Sequence, residues 1–422
     1  MTELIRPVYA ANRENSSIDL GYMRIELVFN GRNILCCAQA CLRLQPDPRL
    51  IITADITEQH AHILTLFNMF KKEKIELRYG ESSAKCSVLI SRSTKNKVEL
   101  LPCSQRMTIC SDHHKNLKTA TFHIVNFPSF LSTKEPTDLF HRTRSGKERR
   151  LGRVFLEHDG WDIEIQELLG TSKLMEKLRA EGGYGITHVG RISRHKNHGF
   201  SISNLRSVLT DLHLFLSFAH GLWTSVVLPV GFDKQGNRVF EEWGVPLCSS
   251  WEPSLTWFDS HHGQSLAELY PGFVKLLHNR GLGKPVSDAL YWYLRSNQAG
   301  TGPGTDGGLI LSQAALEKLA YAQLKDKKPN EHTGAFLCRA CRDLGVPIDI
   351  PKATAKLYNA NRKQKEKWEH SLHALVDVRN DLVHPKKRLG VEIGKIIVDA
   401  WNLSQWYIEL IVLKLSCYNG QY

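Results

Sequence analysis

The sequence predicts an α+β protein, in which a β-rich N-terminal region, residues 1–262, is followed by an all-α helical bundle, residues 263–422. Two patterns lead to this fold class. Before residue 262, several short segments alternate apolar and polar residues, as half-buried strands do. After it, apolar residues recur every three or four positions, which is the period of an amphipathic helix. A length of 422 residues is enough for two or three domains of the usual size.

The N-terminal region contains mostly predicted strands. The alternating segments are residues 23–29, 74–79, 119–125 and 161–165. Helical spacing is found instead at residues 57–71 and 203–218. Residues 226–243 contain turn-forming residues between two apolar arms, which predicts a hairpin. An arginine-rich segment at 141–153 interrupts the alternation, so we expect an exposed loop there and a break between two subdomains near 131–153.

Seven predicted helices follow Gln264. They occupy residues 265–278, 286–298, 309–325, 333–344, 353–363, 366–383 and 390–416. Glycine and proline residues separate them, because both disfavour the interior of a helix. Gly345 directly follows Leu344 and favours a helix end, whereas Pro351 is suited to the first turn of the next helix.

The composition is that of an ordinary globular protein with a basic surface. Hydrophobic residues make up 42% of the chain and charged residues 23%, which argues against wholesale disorder. The formal net charge is +12, so the surface favours polyanions. RNA, DNA and an acidic lipid surface all fit that charge.

The sequence predicts a cytoplasmic protein that neither crosses a membrane nor needs a metal or other cofactor. The first twenty residues lack the apolar core of a secretion signal, and ten cysteines without such a signal favour a reducing compartment. Residues 212–232 carry no charge and are long enough to span a bilayer, but their spacing favours a buried helix followed by a buried strand. Cys338 and Cys341 form a CxxC pair without a second pair nearby, so buried thiols are favoured over zinc.

The candidate active site lies in the run Arg379-Asn380-Asp381-Leu382-Val383-His384-Pro385. Pro385 disfavours helical geometry at His384, so we expect the imidazole at the end of a helix. A histidine can accept the proton of a ribose 2′-OH or protonate the leaving 5′-oxygen, and an arginine can hold the phosphate. Asn380 is suited to orienting the imidazole or contacting the phosphate. Two such pairs in a symmetric dimer would supply both an acid and a base.

The spacing alone is not specific. Arg-x4–6-His occurs four more times, at Arg106/His113, Arg153/His158, Arg191/His198 and Arg206/His213. The pair Arg379/His384 differs from the others in its context. It closes an apolar helix, lies among the predicted helices after Gln264 and has the pattern RN-x3-HP. Arg206/His213 also lies in a predicted helix and therefore serves as the comparison. A salt bridge or a helix cap remains the structural alternative for this pair.

Basic residues near the candidate site are predicted to contact an RNA backbone. They are Lys363 and Lys367 before the helix and Lys386, Lys387 and Arg388 directly after His384. Arg149 and Arg150 in the arginine-rich segment are further candidates. Solvated surface is the alternative for all seven.

With these motifs the C-terminal region resembles the Apea-like HEPN domain family (higher eukaryotes and prokaryotes nucleotide-binding). The resemblance covers residues 265–422 and rests on six segments: 289–294, 296–298, 311–317, 344–351, 379–385 and 413–420. It implies a metal-independent endoribonuclease that acts as a homodimer, with Arg379 and His384 as catalytic residues and Asn380 as a polar accessory.

The resemblance also implies a biological role and partners. HEPN ribonucleases are common in bacterial toxin and antiviral systems, so we expect tRNA or mRNA cleavage in abortive infection, started by a phage-derived trigger. The N-terminal region would then be a sensor or adaptor. The alternative function is a non-catalytic HEPN protein that dimerises or binds, with an N-terminal domain that senses a ligand or partner. A DNA-binding regulator is a weaker alternative, because the sequence has no helix-turn-helix spacing and no zinc framework.

Overall fold

A computed structural model describes residues 4–9, 13–71, 75–79, 84–104, 106–110, 116–132, 139–142, 148–298, 302–363, 368–384 and 389–420, with the backbone alone at 65–71, 110, 139–142, 148–151 and 363. The protein is α+β, as predicted. It divides into two compact units: Met1–His213 with Thr224–Pro253 and Ser260–Gln264, and Leu214–Trp223 with Ser254–Asp259 and Ser265–Tyr422. The division at residue 262 stays a prediction about separate domains.

The first unit begins with a closed six-stranded antiparallel barrel. Its elements are β1 (Ile18–Phe29), β2 (Arg32–Arg43), β3 (Arg49–Asp55), α1 (Glu58–Lys71), β4 (Ile75–Tyr79), β5 (Ala84–Ser93) and β6 (Lys97–Pro102). The strand order is β1-β2-β3-β6-β5-β4, and β4 pairs with β1 to close the barrel. Inward-facing side chains alternate with outward-facing ones, and the small residues Ala38 and Ala40 fit beside Leu27 and Leu77 in the fully buried interior. The predicted strands and the helix in this part are confirmed.

The second half of this unit is a seven-stranded antiparallel sheet. The elements from here to its end are β7 (Arg106–Cys110), β8 (Thr119–Val125), β9 (Leu139–Arg142), β10 (Glu148–Leu151), β11 (Arg153–His158), β12 (Trp161–Glu167), α2 (Thr171–Glu181), β13 (Ile186–Arg194), α3 (Ile202–His220), β14 (Ser225–Phe232) and β15 (Arg238–Gly244). The sheet order is β11-β12-β13-β8-β14-β15-β7. Gly190 on β13 is required by packing, because an added Cβ would lie 2.1 Å from the ring of Phe122 on β8. The predicted hairpin at 226–243 is confirmed as β14 and β15.

For the described residues of 141–153, the prediction of a loop is wrong. Strands β9 and β10 pair with each other there, and β11 starts at Arg153. Arg153 is buried, and its guanidinium forms an ion pair with the buried carboxylate of Glu164. A paired arginine can enter a sheet without the cost of an isolated buried charge, so the arginine content misrepresented this segment.

The chain from Gln264 onwards supplies seven α-helices within the described ranges. They are α4 (Gln264–Leu277), α5 (Gly283–Asn297), α6 (Gly304–Leu324), α7 (Thr333–Asp343), α8 (Ala355–Lys363), α9 (Ser371–Val383) and α10 (Ile397–Leu415). Helix α9 begins five residues later than predicted, at Ser371, and α10 begins seven residues later, at Ile397. Residues 212–232 form the end of α3 and then β14, as expected. Within the described ranges, no helix combines the length and the apolar character that a bilayer crossing requires.

Candidate functional site

Helix α9 is anchored firmly at its beginning. The Ser371 hydroxyl donates to the carbonyl of Ile348 at 2.7 Å, and the indole of the buried Trp368 donates to the Asp377 carboxylate at 3.0 Å. Leu372 and Leu375 on the same helix are fully buried. The helix ends at Val383, and His384 follows it with the extended angles φ −110° and ψ 139°. The imidazole therefore lies at a helix end, as predicted from Pro385.

Arg379 is half-buried and tied to its neighbour. Its Nη1 donates to the Asn380 side-chain oxygen at 3.1 Å, and its Nε is buried without a hydrogen-bond partner. Because the amide oxygen of Asn380 accepts this bond, the amide nitrogen is left to donate to another group. The arginine and the amide thus form one polar unit in the last turn of α9.

His384 is exposed, and its backbone N–H donates to the carbonyl of Asn380 at 3.0 Å. Asn380 and His384 are four residues apart and share one side of the helix, whereas Arg379 and His384 are about 140° apart around the helix axis. No hydrogen bond joins the side chains of Arg379 and His384, both of which are described. Asn380 contacts the Arg379 guanidinium through its side chain and His384 through its backbone carbonyl.

The other Arg-x4–6-His pairs have structural partners. Each of their arginines forms an ion pair with a buried glutamate: Arg106 and Arg206 with Glu242, and Arg153 and Arg191 with Glu164. His213 is half-buried and its Nδ1 is bonded to the carbonyl of Thr224 at 2.8 Å, and desolvation of the ring lowers its pKa to about 4. Among the described residues, no carboxylate lies within ion-pair distance of Arg379.

Of the seven predicted RNA contacts, four are not described and three have only their backbone described. Lys367, Lys386, Lys387 and Arg388 lie outside the described residues. Lys363 is the last residue of α8, and Arg149 and Arg150 belong to β10, in each case with the backbone alone described. Their contact with RNA stays a prediction.

A histidine cluster at the start of α7 and α9 was missed by the sequence analysis. The rings of His332 and His373 are parallel, with centroids 5.8 Å apart, and His370 lies 6.0 Å from His373. His332 Nδ1 accepts from the Gly334 N–H at 3.2 Å, and His370 Nε2 accepts from Arg342 at 2.8 Å.

Burial of the ring is the main cause that lowers the pKa of His373, and repulsion from a positive charge on His332 or His370 would lower it further. In the described chain, no group of three or more His, Cys, Asp or Glu side chains is placed to hold a metal ion. No local motif could have revealed the cluster, because the two helices are distant in sequence.

Comparison with known proteins gives matches to family models other than the expected one. Residues 112–254 match the family model described as the YopA central domain, and residues 279–422 match the one described as the YopA C-terminal domain. The chain is similar to YopA. The SPbeta prophage-derived uncharacterized protein YopA of Bacillus subtilis (strain 168) is 24% identical over 430 residues, which cover 97% of this chain and 91% of that protein. No solved structure matches the chain.

The assignment to the Apea-like HEPN family is therefore wrong, because the C-terminal region matches the YopA C-terminal domain instead. The structure explains why the resemblance misled. In the aromatic segment 289–294, Leu290, Tyr293 and Leu294 are fully buried, and the Tyr293 hydroxyl bonds to the buried carboxylate of Glu409. Such residues serve the interior of any helical domain, so they carry little family information.

Proposed function

We propose that the chain is a metal-independent endoribonuclease whose cutting site is formed by Arg379, Asn380 and His384 at the end of α9. In this proposal the C-terminal helices are an all-α effector module, and the N-terminal unit controls it. The proposal rests on the chemistry of these three residues and no longer on the family that the sequence suggested.

One observation carries the proposal. Of the five Arg-x4–6-His pairs, Arg379/His384 is the one whose arginine has no carboxylate partner among the described residues, while its histidine is exposed. A half-buried guanidinium without an ionic partner gains strongly from a phosphate, which accepts hydrogen bonds from its planar fork. The net charge of the region supports this: residues 263–422 contain 22 Lys and Arg against 15 Asp and Glu.

The proposed reaction needs one base and one acid. The base removes the proton of a ribose 2′-OH, and the 2′-oxygen then bonds to phosphorus while the bond from phosphorus to the 5′-oxygen breaks. The acid protonates that 5′-oxygen, so the products end in a 2′,3′-cyclic phosphate and a 5′-OH. Arg379 stabilises the charge on the phosphate. Since one chain offers one histidine here, two copies in a homodimer supply the acid and the base.

The origin of the relative suggests a role in conflict between phages and bacteria. The name of the Bacillus subtilis protein states that it derives from a prophage. We therefore extend the proposal to defence by abortive infection in the bacterial cytoplasm, with cellular or phage RNA as the substrate and a phage component as the trigger.

RNA cleavage in the presence of EDTA tests the proposal. We expect the wild-type chain to release 5′-OH and 2′,3′-cyclic phosphate ends, and we expect Arg379→Ala and His384→Ala each to lower the rate about a hundredfold or more. His278→Ala and Arg280→Ala are matched controls, because both residues are exposed in the same unit and away from α9. Equal cleavage by all five proteins would refute the proposal. Binding of RNA without cleavage would instead indicate a binding protein.

A further inference from the structure

The outer wall of the barrel contains an arginine-lined cavity that the proposed function does not use. Its volume is about 480 Å³, and Arg43, Arg49 and Arg92 line it together with Ser91, Glu99 and Ile51. The three arginines come from three strands, β2, β3 and β5. Their convergence is set by pairing: Arg43 lies opposite Arg49, and Arg92 lies opposite Glu99.

The register of β5 favours this convergence. The pairing of β5 with β6 shifts between Ile90 and Arg92, which marks a β-bulge at Ser91. A bulge changes the direction of side chains on its strand. Ser91 and Arg92 both line the cavity although they are neighbours in sequence, which a regular strand with its strict alternation would not allow.

The floor of the cavity is apolar. Ile51 is 1% exposed, yet its neighbours Leu50 and Ile52 on the strand belong to the barrel core and Ile51 does not. Arg43 on β2 reaches across β3 to Glu99 on β6, with Nη2 and Oε1 3.4 Å apart. We infer that the long aliphatic parts of the surrounding arginine side chains cover Ile51, while their charged ends stay accessible.

The charges of the cavity favour an anion. Arg92 is exposed and has no ionic partner among the described residues, and Arg49 pairs only with Asp47, at 3.1 Å and largely in solvent. An exposed pair of this kind is weak and is readily exchanged for a ligand. Among the described residues, Glu99 is the one carboxylate that lines the cavity, and it bonds to Arg43 and to the Ser91 hydroxyl at 3.4 Å. Glu99 holds the Arg43 guanidinium over the cavity, and it would compete with a bound ligand for that guanidinium.

We propose that this cavity binds a small phosphorylated molecule of about nucleotide size. Two or three guanidinium groups would hold the phosphates by paired hydrogen bonds, and the organic part would lie against the partly exposed side chain of Leu101. A volume of about 480 Å³ lies in the range of small-molecule sites. The inference is independent of the proposed ribonuclease site, because it concerns residues of the barrel alone.

Calorimetric titration of the full chain tests the proposal with four probes: pyrophosphate, ADP, adenosine and long single-stranded RNA. We expect pyrophosphate and ADP to bind and adenosine not to bind. Equal affinity for the two phosphates would mean that the phosphate alone is recognised, and tighter binding of ADP would mean that the apolar floor contributes. Failure of both phosphates to bind, or binding only of long single-stranded RNA, would overturn the proposal.

Variants of the cavity make the test specific. Arg43→Ala and Arg92→Ala should each weaken pyrophosphate or ADP binding about tenfold to a hundredfold. Glu99→Gln should instead strengthen it about two- to fivefold, since a competing charge is removed. Arg24→Ala, an exposed arginine on β1 of the same barrel, is the control and should leave the affinity unchanged. A gain of affinity in Glu99→Gln could not come from misfolding, so this variant guards against a trivial loss. If the affinity were unchanged both in Glu99→Gln and in Arg92→Ala, the proposed site would be contradicted.

Discussion

The buried histidines of the seven-stranded sheet predict that the first unit loses stability in mild acid. His188 on β13 is fully buried, and its ring is stacked on Phe130 with centroids 5.5 Å apart. Burial lowers its pKa to about 3, and burial lowers the pKa of His123 on β8 and of His213 on α3 to about 4. All three are therefore neutral in the folded protein above pH 5.

The sign and the size of the effect follow from proton linkage. In the unfolded chain a histidine has a pKa of about 6.5, so below this pH the unfolded chain binds more protons than the folded one. The stabilisation is complete above pH 6.5 and is lost as the pH falls towards 4. At 1.36 kcal/mol per pH unit, each histidine costs about 2 kcal/mol at pH 5. Three of them cost about 6 kcal/mol, which is comparable with the whole stability of a domain.

The variant His188→Leu isolates one of these contributions. In the wild type, the free energy needed to open the sheet should fall between pH 7.5 and pH 5. In His188→Leu this fall should be about 2 kcal/mol smaller. Glu241, whose pKa is raised by burial, acts in the opposite direction but is common to both proteins and cancels in the comparison. His198→Leu is the control, because His198 is exposed in the same unit.

Hydrogen exchange of the β8 and β13 amides measures this opening in the first unit alone, with intrinsic exchange rates corrected for pH. The expected result is a shallower pH dependence in His188→Leu and an unchanged one in His198→Leu. The same pH dependence in His188→Leu and in the wild type would refute the reasoning, because it would mean that His188 does not titrate between the two states.

Two predictions concern packing and buried charge. Gly272→Ala on α4 places a Cβ 1.9 Å from the backbone oxygen of Ser416, so it should lower the free energy of unfolding by about 1–3 kcal/mol in urea titrations. Gly394→Ala, with nothing within 4 Å of the new Cβ, should change it by less than about 0.5 kcal/mol, and equal effects would contradict the predicted contact. Arg153→Leu should cost about 1–3 kcal/mol, because Glu164 loses its buried partner and keeps only the half-exposed Arg191. The double variant Arg153→Leu/Glu164→Leu should recover part of this loss, and a larger loss in the double variant would argue against a charge effect.

The candidate site residues show how much the sequence can predict. It correctly placed the imidazole of His384 at a helix end, because a proline after a residue restricts that residue locally. The sequence could not show which of the five arginines have an ion-pair partner. The glutamates that pair with the other four arginines lie on other strands, and their proximity depends on the fold. The sequence also indicated the wrong family, because buried aromatic and aliphatic residues of a helix are common to many helical proteins.

The sequence by itself determined the local structure of this protein. The α+β class and most strands and helices follow from periodicity, which acts over neighbouring residues and is therefore visible in the chain. The tertiary structure alone decided which strands close into a barrel, that Arg153 is buried against Glu164, and that Arg43, Arg49 and Arg92 converge on one cavity. Those contacts join residues far apart in the chain, and their partners depend on strand register and topology, which no local pattern specifies.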